Sequence, residues 1–222
     1  MLRILPLSLL CLLLFPVTSV AGEDTLVLDD GLSLRVLWFE PELSQSPPPL
    51  AILMTGGSNN DFLARAQFWM SKELVKRGWA VAVPISNQGR KFFVENSSLM
   101  PEIIARLRSS HAVNDNKALL VGISRGGSAA LAIAARSPGE YLGVIAAPGR
   151  IWDETKFEKL NGLPVYLRVG EKDDFRWHRQ LESDANLLRQ AGAQVDAALV
   201  PNAHHVFTLD WNELEVWLTA LP

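Results

Sequence analysis

At residues 118–131 the chain reads Ala-Leu-Leu-Val-Gly-Ile-Ser-Arg-Gly-Gly-Ser-Ala-Ala-Leu: a short apolar run that passes, through glycines on either side of Ser124, into a run of small residues. No other stretch restricts the fold as much. The apolar run has the length and content of a buried strand, and residues 128–135 suit a helix packed closely on a sheet. Almost nothing connects the two, so the turn between them must be sharp. Gly122 and Gly126, two residues before and after Ser124, stand where a Cβ would strike the opposite backbone. Such a turn lifts the Ser124 hydroxyl clear of the fold.

Strand and helix patterns alternate around this segment. Residues 25–28 and 32–39 flank Asp29-Asp30-Gly31, a hairpin turn signal. Residues 50–54 read as a strand and 61–77 as a helix with Leu63, Ala66, Met70 and Leu74 on one face, stopped by Gly78. A strand at 79–83, closed by Pro84, is followed by a helix at 98–109 with Pro101 near its start and an apolar stripe of Met100, Ile103, Ile104 and Leu107. Residues 142–146, 164–169 and 195–200 read as three more strands, with helices at 175–190 and 210–221, the last burying Trp211, Leu214 and Leu218. Short apolar strands alternating with amphipathic helices imply an α/β fold: a mostly parallel sheet covered on both faces, preceded by an antiparallel hairpin. Such sheets form their ligand sites at the carboxyl ends of the strands.

The first residues stand apart. Met1-Leu2-Arg3 is a cationic start, residues 4–17 are an apolar core holding Pro6 and Pro16, and Ser19-Val20-Ala21 is a small-x-small cleavage site. This is the pattern of a secretory signal peptide over residues 1–21, its apolar run short of the about 20 residues of a membrane span. The expected product is a secreted or periplasmic chain of residues 22–222 forming one domain, with no stable membrane anchor. The single cysteine, Cys11, lies inside the leader and follows Leu10, where a lipid-modified leader needs a small residue. The mature chain then has no disulfide and no thiol nucleophile. A net charge of -3 gives no reason to expect nucleic acid as a partner.

A serine hydroxyl is a poor nucleophile until an imidazole takes its proton. The imidazole in turn needs an acid to fix its tautomer and stabilise its charge. Of the four histidines, His204 and His205 follow the strand expected at 195–200, while His111 and His178 read as surface residues. The acids Glu171, Asp173 and Asp174 follow the strand before it. Ser, Asp and His thus succeed one another at the ends of three expected strands.

Together these segments resemble the α/β-hydrolase superfamily, over nearly the whole chain after the leader. Gly122-Ile123-Ser124-Arg125-Gly126-Gly127 is similar to the G-x-S-x-G-G nucleophile elbow of its dienelactone-hydrolase and prolyl-oligopeptidase branches. Val169-Gly170-Glu171-Lys172-Asp173 resembles its strand ending in G-x-x-D, and Ala203-His204-His205-Val206-Phe207 its H-x-F histidine loop. The resemblance implies that Ser124 is the nucleophile, Asp173 the acid and His205 the base. Asp174 and His204 are the alternatives; Asp174 otherwise caps a helix beginning at Phe175. It also implies two amide donors for an oxyanion, Arg125 at the helix start and Gly57 in Thr55-Gly56-Gly57-Ser58, a loop similar to the family's H-G-G-x with Thr55 in place of His. Ser58 is the second candidate there.

Two departures bear on the site. Many relatives insert a helical cap where this chain has only residues 148–162, so an open site is expected, flanked by Trp152 and Trp177. Residues 86–90 match the family's D-x-R-G-x-G loop poorly. The Arg125 side chain opposes the helix dipole, which points to an ion pair with an acid of the 171–174 loop, or otherwise to an anionic group of the substrate. The activity implied is that of a carboxylesterase on a small-molecule or polymer-borne ester. A peptidase, an acyltransferase or a catalytically silent binding protein of the same fold are the alternatives. No metal or organic cofactor is expected, since no histidine pair has the spacing of a zinc site.

Overall fold

Asp29, Asp30 and Gly31, the last at φ +82°, turn the chain back on itself. β1 (Ser19–Val27) therefore lies antiparallel to β2 (Ser33–Pro41), with Leu26 opposite Leu34. The computed structural model describes residues 19–42, 46–58, 60–85, 97–152 and 159–222. The leader core, Cys11 and the 86–90 loop lie outside the described residues. β1 begins at Ser19, so the expected cleavage point after Ala21 falls within this strand.

Six further strands complete one sheet: β3 (Leu50–Met54), β4 (Ala80–Ile85), β5 (Ala118–Gly122), β6 (Tyr141–Ala146), β7 (Pro164–Gly170) and β8 (Gln194–Val200). Their order is β1-β2-β4-β3-β5-β6-β7-β8. β2 is antiparallel to β4, and every pair beyond that is parallel. Parallel neighbours need crossovers, and helices supply them. α1 (Asp61–Ala66) and α2 (Phe68–Lys76) join β3 to β4, and α3 (Met100–Ser110) lies between β4 and β5. α4 (Arg125–Arg136) joins β5 to β6, α5 (Leu181–Gln190) joins β7 to β8, and α6 (Trp211–Thr219) follows β8. This is the α/β-hydrolase architecture the sequence implies.

The strand period of two divides the core. Leu50, Ile52 and Met54 of β3 face a layer holding Met100, Ile103, Ile104 and Leu107 of α3 and the small residues of α4. Ala51 and Leu53 face the other layer, with Met70 and Leu74 of α2 and Leu214 and Leu218 of α6. From Gly126 to Ala135 every residue of α4 is buried, which Gly, Ala and Ser make possible by letting its axis approach the sheet.

The structure corrects several boundaries. The helix expected over 61–77 is broken at Gln67 (φ -96°, ψ 14°) into α1 and α2, so the apolar face is shifted: Ala64 is buried and Ala66 exposed. Pro84 does not close β4, which continues to Ile85. β4 pairs with β3 only over Ala80–Ala82, so Pro84 lies past the end of that ladder and removes no bond from it. The helix expected from Phe175 starts instead at Leu181, after a left-handed Arg176 (φ 63°) and a 3-10 turn at Trp177–Arg179. Trp211 is half-buried beneath the guanidinium of Arg77, 4.9 Å from its ring.

His111 and His178 are not surface residues. The His111 ring stacks on Trp38 at 3.7 Å and its Nε2 lies 2.6 Å from Asp24 Oδ2; His178 is half-buried.

Candidate active site

The close approach demanded by the 122–126 segment is present, and its size can be read from the glycines. A Cβ on Gly122 would lie 2.2 Å from the carbonyl oxygen of Gly126, and one on Gly126 would lie 2.0 Å from that of Met54 in β3. Real Cβ atoms do not approach so near. Between them Ser124 adopts φ 57° and ψ -119°, a conformation side chains rarely hold, with its amide donating to Pro148 O at 2.7 Å. The strained turn is over-determined by its surroundings, and it presents Ser124 at the carboxyl edge of the sheet.

Two loops from neighbouring strands converge on the same edge. The loop after β7 and the loop after β8 are tied together: Glu171 N donates to Val200 O, Lys172 N to Ala203 O at 2.7 Å, and Asn202 N to the Glu171 carboxylate at 2.8 Å. Gly170 is where they touch, since a Cβ there would lie 2.1 Å from His204 O. The glycine of the G-x-x-D pattern thus has a steric cause.

Ser124 Oγ lies 2.7 Å from His205 Nε2, and His205 Nδ1 lies 2.6 Å from Asp173 Oδ2. The carboxylate of Asp173 is fully buried and the ring of His205 nearly so. The second oxygen of Asp173 accepts the amides of Phe175, at 2.8 Å, and Trp177, at 3.2 Å. That carboxylate winds the chain around itself, which explains why the expected helix does not begin at Phe175. Its four-residue grip also fixes the oxygen that faces His205.

His204 and Asp174, the alternatives, pair with each other instead. Their side chains meet at 3.0 Å in solvent, and Asp174 Oδ2 also accepts the amide of His205 at 3.2 Å. Asp174 caps no helix. The His204 ring, and then the His205 amide, hold its carboxyl below the usual carboxylate range. A carboxyl with a lowered folded-state value adds stability above its unfolded value and loses it as the pH falls through the folded one. Asp174→Asn is therefore expected to melt slightly below the wild type near neutrality, with the difference vanishing in strong acid. Melting temperature followed from about pH 7 down to about pH 2 measures this; a difference independent of pH contradicts it.

The oxyanion candidates flank Ser124. Neither the amide of Arg125, at the start of α4, nor that of Gly57 has a backbone acceptor among the described residues. The amide of Gly56 is taken by Gln67 Oε1 at 2.9 Å. The Arg125 side chain is exposed and makes no ion pair among the described residues, so the expected bridge to the 171–174 loop does not form. A free α4 amide together with the helix dipole favours negative charge beside Ser124.

Aromatic rings wall the histidine. Trp177 meets the His205 ring edge-on at 4.9 Å, Trp152 meets Trp177 at 5.9 Å, and Arg150 lies over Trp152 at 4.6 Å. Phe175, which the sequence reading passed over, stands 4.5 Å from His205 with 67% of its surface exposed. Its place beside the acid loop was its only signal. Gln67 was also missed, since nothing in a helical pattern marks a polar residue that reaches out of it. Among the described residues no group of His, Cys, Asp and Glu could hold a metal ion.

The arrangement can deliver a serine oxygen, relieved of its proton, to an electrophilic carbon while amides receive the charge that develops. Comparison with known proteins agrees with this chemistry at a coarser level. Residues 45–222 match the Esterase family, whose description reads "Putative esterase". No curated protein matches the chain. Among solved structures, it is similar to a putative dienelactone hydrolase from Klebsiella pneumoniae, 17% identical with a TM-score of 0.71, over 91% of this chain and 99% of that one. It is similar also to an S-formylglutathione hydrolase from Agrobacterium tumefaciens, 13% identical with a TM-score of 0.71, over 92% and 96%. A third is a bacterial heroin esterase, 19% identical with a TM-score of 0.68, over 91% and 83%. At these identities the structures speak for the fold, and the family match for the class of activity: the chain belongs to the Esterase family and is a hydrolase of the α/β-hydrolase fold.

Proposed function

We propose that the protein is an exported serine carboxylesterase, with Ser124 as nucleophile, His205 as base and Asp173 as the acid behind it. The observation that carries this reading is the hydrogen-bonded series Ser124 Oγ, His205 Nε2, His205 Nδ1, Asp173 Oδ2, with links of 2.7 and 2.6 Å at the mouth of the strained turn. Ser124 Oγ attacks the ester carbon as its proton passes to His205 Nε2. Asp173 stabilises the imidazolium, and the amides of Gly57 and Arg125 hold the oxyanion. The imidazolium then protonates the departing alcohol, leaving an acyl group on Ser124. Water, its proton taken by His205, attacks the acyl carbon and releases the acid, restoring Ser124.

The mechanism consumes one ester and one water and returns one acid and one alcohol, with no cofactor. Export is inferred from the cationic start, apolar core and Ser19-Val20-Ala21 site. Cleavage after Ala21 would leave β1 its pairs from Gly22 to Val27. The exposed Phe175 and the short 148–162 connection favour substrates approached from solvent, including polymer-borne esters, over long acyl chains that need a buried tunnel.

The rate of hydrolysis of p-nitrophenyl acetate tests the nucleophile and the base: Ser124→Ala and His205→Ala are each expected to lose nearly all of it, and a folded variant of either that keeps the wild-type rate contradicts the reading.

A further inference from the structure

We infer that Gln67 is a positioning residue for oxyanion stabilisation: it engages the amide of Gly56 and so holds the 55–58 loop against Ser124, leaving the amide of Gly57 for the substrate's carbonyl oxygen. The inference rests on the serine-hydrolase reading and extends it to a residue outside the motifs.

The residue sits where the helix pattern of 61–77 fails. α1 ends at Ala66 and α2 begins at Phe68 with no side-chain cap, so the Gln67 side chain does nothing for the helix it precedes. Its side chain instead reaches eleven residues back along the sequence, its Oε1 accepting from Gly56 N at 2.9 Å.

Gly56 is wedged. A Cβ on it would lie 3.2 Å from Gln67 Nε2, 3.2 Å from Ser124 Cβ and 3.1 Å from Ile123 O. The Gln67 head group and the Ser124 side chain thus close from two sides on the space a Cβ would take, so the loop lies packed between them, and removal of the first leaves it room to drift from the second. The next residue is held by the same short helix: a Cβ on Gly57, at φ +62°, would lie 2.6 Å from Leu63 Cδ1. Leu63 in turn donates its amide to Asn60 Oδ1, the α1 cap, at 3.0 Å.

α1 and the residue at its C-cap therefore act as a clamp with two contacts, Leu63 on Gly57 and Gln67 on Gly56. With the Gly56 amide occupied, the next amide of the loop is that of Gly57, an exposed residue whose amide has no backbone acceptor among the described residues. An oxyanion donor acts through its position alone, because it must already point at the oxygen when charge develops there. Misplacement by about 1 Å costs on the order of 100-fold in rate.

The test compares wild type with Gln67→Met, which keeps the volume and removes the acceptor, and with Gln67→Ala. Two readouts are used: steady-state hydrolysis of p-nitrophenyl acetate, and the rate at which a fluorophosphonate labels Ser124, a reaction whose phosphoryl oxygen occupies the oxyanion position. For both variants kcat is expected to fall about 10- to 100-fold with KM within about threefold, and labelling to slow by a similar factor. The pH dependence of the remaining rate should match the wild type, since the Ser124–His205–Asp173 series is untouched. A Gln67→Met protein with wild-type kcat overturns the inference, as does a loss confined to KM or one that follows the unfolded fraction. If the wild type is active, Ser124→Ala is inactive and Gln67→Met is unchanged, this inference alone falls. A folded wild type that neither hydrolyses the ester nor takes the label brings down the serine-hydrolase reading with it.

Discussion

Replacing His205 by alanine is expected to lower kcat for p-nitrophenyl acetate on the order of 10⁵- to 10⁶-fold, close to the loss from Ser124→Ala. The reason is that the two act as one unit. Without a base 2.7 Å away, the Ser124 hydroxyl keeps its proton and remains a weak nucleophile. The acids divide sharply in the same assay. Asp173→Asn keeps the shape of the buried site but presents a group that cannot stabilise the imidazolium and favours the wrong tautomer, an effect on the order of 10⁴-fold. Asp174→Asn, in solvent and bonded to His204, is expected to change kcat less than about tenfold, because exposed pairs of this kind contribute little. The measurement is kcat for each folded variant. Comparable losses for Asp173→Asn and Asp174→Asn contradict the assignment of roles, and a His205→Ala protein within about tenfold of wild type contradicts the base.

The second large effect is on stability. Gly126→Ala adds one methyl group, yet its Cβ would lie 2.0 Å from Met54 O and 2.7 Å from Thr55 O. Neither neighbour is a flexible side-chain end; both are backbone, at the carboxyl end of a fully buried strand. α4 cannot retreat easily either, since ten consecutive residues of it are packed in the core. The cost is expected at about 3 kcal/mol or more, the upper range for overpacking. In a domain of this size that lowers the melting temperature by about 6–12 °C. Activity should fall beyond the loss of folded protein, because any shift of α4 moves Ser124 and the Arg125 amide together. Melting by circular dichroism, with kcat corrected for the folded fraction, measures both. A variant that melts within about 1 °C of wild type contradicts the packing argument.

The contrast between what was legible in the sequence and what was not follows from the range of the interactions. Gly122 and Gly126 could be read because a strand joined directly to a helix forces the two backbones together, whatever the rest of the fold does. The parallel sheet was legible from strand and helix periods, which are set by which side chains meet the core. Once that sheet is granted, the segments after β5, β7 and β8 fall on one edge, so Ser124, the Asp173-Asp174 pair and the His204-His205 pair are brought near one another by topology.

What escaped the reading depends on contacts made across the sequence. Gln67 looks like an ordinary helix residue until its side chain is seen on Gly56. The false helix start at Phe175 has the same origin: periodicity favours a helix there, but Asp173 captures the amides of Phe175 and Trp177 and bends the chain into a turn. Pro84 misled because a proline ends a strand only if its missing amide faces a partner: the β3–β4 ladder stops at Ala82, and Pro84 stays in β4 opposite Val36 of β2. His111 reads as a polar loop residue, whereas the Trp38 ring and Asp24 of the N-terminal hairpin draw it inward. The resemblance points to Asp173 and His205, but the residues by themselves leave Asp174 and His204 open for a related reason. Adjacent residues in an irregular loop have no periodicity to say which points inward, and the ties between Lys172 and Ala203 and between Glu171 and Asn202 decide it.

The central claim is that Ser124 is an activated nucleophile. Its most direct test is labelling of the folded, purified protein with a fluorophosphonate, followed by mass spectrometry of the peptide that carries the adduct. The account predicts one adduct per chain, on Ser124, absent from Ser124→Ala and abolished by prior denaturation. A folded wild type that takes no label, or takes it at another residue, would contradict it.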